Sequence, residues 1–368
     1  MIFLSITFRV KLKRPEMQFL HLGSVFWQIT VLFLIELVSV CNLTAAPKGK
    51  VSELPKKQSK EVLQAWANAG CEFGWIRPFH SEYFRFITDG EPIPGDIPGF
   101  KVRNWNEGEL ETLPIPSGKF GLILLSQEST TKGLNALAKF PNITFLLVAK
   151  MQITDEGVKS LLVLEHLQTL GLRDSNITDE NLKHIANFQH LQTLILSSTK
   201  VTDKGMKYIN SLANLQTLVL DYTSVADSGI EQIAKLTELQ HLHLGHTQVT
   251  TKSFESLKNL TKLQSLFLND TKISDRGLSQ LEALENLEIL YLARTNLSNR
   301  GLEQIAACKN LKSLSFSGNR ITNSGLSKLK VLTKLEVISF SDTKITFKGQ
   351  TQFQKTHPKC IILSDVSE

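Results

Sequence analysis

The sequence predicts an α/β solenoid, with a curved parallel β-sheet on the concave side, short helices on the convex side and a small α+β cap at the amino end. Three observations predict it. Set against itself at an offset of 24 residues, the chain aligns Leu167-Gln168-Thr169-Leu170-x-Leu172 with Leu191-Gln192-Thr193-Leu194-x-Leu196 and with Leu215-Gln216-Thr217-Leu218-x-Leu220. The phase holds through Leu239, Leu263, Leu287, Leu311 and Leu335 and back to Ile143, far longer than chance sustains. Within each unit apolar residues alternate with period two, as on a half-buried strand, and then recur at three-residue spacing, as on a helix with one buried stripe.

Residues 1–46 read as targeting rather than fold. Arg9, Lys11, Lys13 and Arg14 precede an apolar run from Phe19 to Val40, and Thr44-Ala45-Ala46 supplies small residues, which is the order of a secretory signal. The run is long enough to span a bilayer as a signal anchor, but Gln28 and Glu36 near its core make a permanent span costly. Export to the periplasm, the cell envelope or the exterior follows, with any membrane contact confined to residues 19–40. Met17 is an alternative start that would remove the basic flank.

Residues 47–118 differ in composition. Trp66, Trp75 and Trp105 lie here, as do eight of the eleven prolines, and the next proline after Pro141 is Pro358. This places a boundary near 118, between a linker and cap region at 47–118 and a repeat domain at 119–368. Ser59 can cap a helix through Ala69, ended by Gly70, with Val62, Leu63, Trp66 and Ala67 on one face. Glu82 to Ile87 reads as a strand closed by Thr88-Asp89-Gly90, and Pro92 to Phe100 as irregular chain. The segment covers the exposed end of the first repeat.

About nine full repeats occupy 143–358, flanked by partial units at Phe120-Gly-Leu-Ile-Leu and Cys360-Ile-Ile-Leu. After each strand comes a threonine (Thr199, Thr223, Thr247, Thr271, Thr295, Thr343) whose hydroxyl can bond the adjacent turn, a role open also to Ser175 and Asn319. Thr202 then suits a helix N-cap and Asp203 the positive end of the helix dipole, before Met206, Ile209 and Leu212 form the buried stripe. Stacked copies bury each other's leucines. Gln350, Thr356 and Pro358 make the last unit a polar cap.

The consensus L-x-x-L-x-L-x-x-T-x-[IV]-[TS]-D-x-G-[LMI]-x-x-[IL] resembles the leucine-rich-repeat family, above all bacterial exported proteins with I-T-D-x-G-L units, and is similar to the repeat half of F-box receptors. It covers roughly 119–364. The resemblance implies a binding scaffold. Lys150 and Met151, Thr251-Lys-Ser253-Phe254 and Phe347 depart from the pattern.

Side chains leaving the strands away from the core line up across repeats. Ile195, Val219, His243, Phe267 and Tyr291 share one slot, expected to form an exposed apolar and aromatic stripe for a macromolecular partner. The bland alternative is that strands favour such residues. Beside it runs a polar column, Asp174, Ser198, Tyr222, His246, Asp270 and Arg294, of which the last four complete the predicted contact set. His241, His243 and His246 raise a metal or general-base site, but no carboxylate pair or nucleophile accompanies them.

The charge balance, 41 basic against 35 acidic residues, falls to about +4 outside the first 46 residues, with no basic stripe to serve nucleic acid. Cys41, Cys71, Cys308 and Cys360 share no metal-ligand spacing, and Cys308 fills a leucine slot. The expectation is a non-catalytic protein-binding scaffold with no metal, no cofactor and no catalytic residue. Its rivals are a substrate receptor of the F-box type and an enzyme using the histidines.

Overall fold

The computed structural model describes residues 54–79, 83–103, 108–125 and 131–366. The signal or anchor expected at 1–46 and Trp105 lie outside the described residues. Among the described residues no helix is long and apolar enough to cross a membrane.

A parallel run begins with β3 (Ile97–Val102), β4 (Phe120–Leu125) and β5 (Ile143–Ala149) and then adds one short strand per repeat. These are β6 (Thr169–Gly171), β7 (Thr193–Ile195), β8 (Thr217–Val219), β9 (His241–His243), β10 (Ser265–Phe267), β11 (Ile289–Tyr291), β12 (Ser313–Ser315), β13 (Val337–Ser339) and β14 (Ile361–Leu363). Partners are 24 residues apart from Phe145 with Thr169 to Ser339 with Leu363, the offset read from the sequence. The central residues Leu170, Leu194, Leu218, Leu242, Leu266, Leu290, Leu314 and Ile338 are all buried in one continuous core.

Helices such as Asp179–Ile185, Asp203–Ile209, Asp227–Ile233 and Asn299–Ile305 cover the back of the sheet. Strands repeat at about 4.8 Å whereas packed helices need about 8–10 Å, so the array bends toward its strands and their outward face is concave. The threonine ladder forms as expected. The hydroxyls of Thr199, Thr223, Thr247 and Thr271 donate to the carbonyls of Leu196, Leu220, Leu244 and Leu268 at 2.6, 2.6, 2.7 and 2.6 Å, and Ser175 and Asn319 do the same to Leu172 and Phe316.

The aspartate after the N-cap does more than answer the helix dipole. Asp179 accepts from the backbone N–H and the hydroxyl of Thr202 in the next repeat at 2.8 and 2.7 Å, and Asp227 from those of Thr250 at 2.7 and 2.6 Å. The glycine of the D-x-G unit exists to admit this carboxylate: a Cβ on Gly205 would sit 2.5 Å from Asp179 Oδ1, and one on Gly229 2.5 Å from Asp203 Oδ1. Where Thr251 replaces aspartate, its shorter hydroxyl still accepts from Ser274 N–H at 3.1 Å. The next back segment is then a 3-10 helix, Leu278–Ala283, entered through Gly277 at φ 92°.

Toward the amino end, α1 (Lys60–Asn68) is capped by Ser59, which accepts from Val62 N–H. Trp66 is its buried wedge, stacked on Phe100 at 4.1 Å and meeting Phe120 and Phe140 edge-on, with Nε1 donating to the Pro114 carbonyl at 2.9 Å. Ala67, expected on the inner face, is exposed. Then β1 (Glu72–Phe79) pairs antiparallel with both β2 (Tyr83–Ile87) and β3, so the sheet, 14-stranded among the described residues, runs across residue 118. The stretch expected as irregular chain up to Phe100 therefore contains most of β3. Gly99 and Gly121 explain how: a Cβ on either would lie 2.6 or 2.4 Å from Ile76 Cδ1, so their bare backbone seats that side chain.

Candidate functional site

The strands place Ile195, Val219, His243, Phe267 and Tyr291 side by side on the concave face. The stripe is contiguous, as expected, but it is not exposed. Ile195, Val219, His243 and Tyr291 retain 6, 1, 2 and 9% of their surface, and Phe267 alone is half-buried. Neighbours less than 5 Å apart on a face that curves inward cover one another: His243 stacks on Phe267 at 3.9 Å and Phe267 meets Tyr291 edge-on at 4.8 Å. Burial pushes the Tyr291 phenol up to about 12, against a smaller opposing effect of its 3.2 Å hydrogen bond with Ser313. The residue pattern identifies which side chains leave the core but cannot tell a solvated row from one that packs on itself.

The neighbouring column is the solvent-facing one. Tyr222 is 47% exposed, and its ring lies on that of His246 with centroids 4.0 Å apart and planes within 14°. His246 Nε2 is 3.1 Å from Asp270 Oδ2 but out of line for a straight hydrogen bond. Arg294 clamps the same carboxylate with two bonds, Nε to Oδ1 at 2.6 Å and Nη2 to Oδ2 at 2.5 Å. Burial raises the Asp270 pKa, yet the His246 and Arg294 contacts outweigh it and hold the carboxyl below its ordinary range. Four consecutive repeats thus present one joined row: ring, ring, carboxylate, guanidinium.

Every member of this column has a left-handed backbone. Asp174, Ser198, Tyr222, His246, Asp270, Arg294 and Asp342 have φ between 50 and 57°, and Gly318 fills the slot at 71°. Glycine, aspartate and asparagine tolerate this region, whereas bulky side chains are strained there. Lys150, in the same slot one repeat before Asp174 at φ 61°, Tyr222 and Arg294 are the departures, whereas histidine, like aspartate, is met there more often. Sequence reasoning named this column but missed its geometry; the available signal was that small residues occupy the slot on either side of the group. Gly318 has a second reason, since a Cβ there would lie 2.6 Å from Arg294 Cγ.

The three histidines do not converge. His241 Nδ1 is 3.1 Å from Ser265 Oγ, His243 is buried with Nδ1 3.9 Å from Asp221 Oδ2, and His246 faces Asp270. Among the described residues no three His, Cys, Asp or Glu side chains are grouped to hold a metal ion. Asp221 Oδ1 instead accepts from Gly245 N–H at 2.6 Å. Next to the stripe, Gln216, Thr217, His241, Gln264, Ser265, Glu288 and Ile289 line a pocket of about 270 Å³. Neither glutamine was singled out from sequence, because L-Q-T-L reads as strand consensus.

A family model described as a leucine-rich repeat region matches residues 124–321, more than half of the chain. The chain belongs to the leucine-rich-repeat family. Among solved structures, this leucine-rich-repeat chain is similar to an internalin from Listeria monocytogenes at 21% identity and a TM-score of 0.48, over 72% of this chain and 89% of that one. Internalin C2 from the same species gives 30% identity and a TM-score of 0.44, over 58% of this chain and 84% of that one. No curated protein matches the leucine-rich-repeat chain.

Proposed function

We propose that this leucine-rich-repeat chain is a non-catalytic scaffold that binds a protein partner on its concave face, centred on Tyr222, His246, Asp270 and Arg294. The observation that carries the reading is the row of large side chains held at positive φ. Strain of this kind costs of order 1–3 kcal/mol per residue and points to function where the fold draws no benefit from it. Repeats on either side place Asp, Ser or Gly in the same slot, so the fold does not require a large side chain there. Tyrosine and arginine on a rigid sheet are also among the residue types that dominate protein recognition. The packed stripe of Ile195, Val219, His243, Phe267 and Tyr291 then acts as a firm floor, with Phe267 its accessible part.

In the same reading residues 1–46 export the chain to the cell envelope or beyond, 47–118 cap the open end of the core, and 119–368 carry recognition. The wedge of Trp66 into the first repeats supports the cap.

The test is capture of partners by the full chain, compared with Tyr222→Ser and Arg294→Gly, each a residue type that a sister repeat already uses. The expected outcome is unchanged circular dichroism with partner capture reduced at least tenfold in each variant. Undiminished capture by both folded variants would remove this row from the interface.

A further inference from the structure

Along the strand-entry edge of the concave face runs a row the recognition site does not use. Gln168, Gln192, Gln216, Gln240 and Gln264 occupy one slot in five successive repeats, and their backbones are tied as rungs, each N–H donating to the preceding carbonyl at 2.7–2.8 Å. Among the described residues none of the five carboxamides hydrogen-bonds to another protein group, although four are half-buried. Beside them stand the small hydroxyl residues Thr169, Thr193, Thr217 and Ser265, of which only Thr193 is half-buried and the rest are buried, with Ser265 Oγ 3.1 Å from His241 Nδ1; at Gln216, His241 and Gln264 the face opens into the 270 Å³ pocket, which Glu288 and Ile289 also line. The neutral row ends at Glu288, which is ion-paired with Lys312 at 2.8 Å.

We propose that this row binds an uncharged oligosaccharide. A ligand must offer many donors and acceptors, because carboxamides are what the row chiefly presents, interrupted by the His241 imidazole, and each carboxamide can both donate and accept without charge. It must also repeat, because identical groups recur at about 4.8 Å over roughly 19 Å. An extended polypeptide advances about 3.3 Å per residue with alternate residues facing the same way, so its groups fall out of step with the rungs. A chain of sugar rings meets both demands, with its hydroxyls on the amides. The inference rests on the concave face being the binding face, but not on Tyr222 or Arg294.

The experiment is retention of the full chain on uncharged glucans, mannans and xylans of defined length, beside acidic polysaccharides and a peptide library. Retention is expected on at least one neutral glycan, insensitive to salt and strengthening with chain length up to four or five sugars. Gln264→Leu is expected to weaken it roughly 3- to 10-fold, the worth of one lost hydrogen bond, and Gln216→Leu with Gln264→Leu to abolish it without change in melting temperature. Glycan arrays on whole glycoproteins separate a sugar carried by the protein partner from a free polysaccharide. No retention on any neutral glycan, or retention untouched in the double variant, overturns the proposal. Peptide capture that needs the glutamines but not Tyr222 would overturn it too, assigning the row to polypeptide. Loss of capture in Tyr222→Ser alone leaves this row standing, so the two readings fail separately.

Discussion

Ser198 holds φ 56° in the middle of the strained column, and its side chain makes no hydrogen bond to the protein among the described residues. It isolates the backbone penalty. Ser198→Gly removes the clash of Cβ with its own carbonyl, offset by the extra freedom glycine has when unfolded, so a net gain of about 0.5–1 kcal/mol is expected in chemical denaturation. A loss of stability would show that the left-handed slot is not strained and would weaken the case for Tyr222, His246 and Arg294. The thiols test burial at the same scale. Desolvation pushes Cys308 and Cys360 up to about 12 and Cys71 to about 11, and the thiolate is the reactive form. At pH 8 all three are expected to resist an aromatic disulfide reagent for hours in the native chain and to react at once in denaturant; rapid labelling of native Cys308 would contradict the packed core around it.

At the scale of the strand-turn-helix unit, the aspartate ladder makes a sharper statement. Burial raises the Asp227 pKa, but hydrogen bonds from Ser253 and Thr250 more than compensate and leave it below the ordinary 3.8. A carboxylate whose folded value is depressed adds stability above its unfolded value and loses it as the pH falls through the folded one, so this contribution disappears below about pH 4. Later repeats show the uncharged solution: Asn299 accepts from Thr322 N–H at 3.0 Å and donates to its hydroxyl at 2.9 Å. Asp227→Asn is therefore expected to melt within about 1 kcal/mol of the parent at pH 7 and to lose less stability between pH 5 and 3. An unchanged acid limb would mean that Asp227 contributes nothing through its charge. The Thr250 contact was not read from the sequence, which gave the aspartate of this slot only the helix dipole. A fixed period places each residue beside its counterpart one unit away, so strand register, the threonine ladder and the helix stripe could all be read from the 24-residue offset. The amino-terminal segment has no period. There Pro98 and Gly99 read as loop, and only the approach of Ile76, which nothing local signals, turns them into β3. The candidate site fell between these cases: the column of Tyr222, His246 and Arg294 was visible and its positive φ was signalled only by the small residues of sister repeats, whereas the self-burial of the Ile195-to-Tyr291 stripe arises from curvature that no single repeat contains.

For the whole molecule, energetics follow from stacking in one dimension. Each repeat touches its neighbours alone, so stability is close to a sum of unit and interface contributions. Leu242 is fully buried between Leu218 and Leu266 near the middle of the array. Truncating it leaves a cavity expected to cost about 2–5 kcal/mol. Because the loss falls on two interior interfaces, it also weakens the coupling between the halves on either side. Leu242→Ala is therefore expected to broaden or split the melting transition, with amides of β8 to β10 exchanging faster than those nearer either end. Ile338→Ala, in the penultimate strand, removes comparable apolar volume where only β14 and the final helix lie beyond it. The same loss there is expected to fray the carboxyl end while the rest melts as before. Hydrogen exchange followed by mass spectrometry reads both patterns, and equal, uniform acceleration in the two variants would show that the chain melts as one globular unit rather than as a stack.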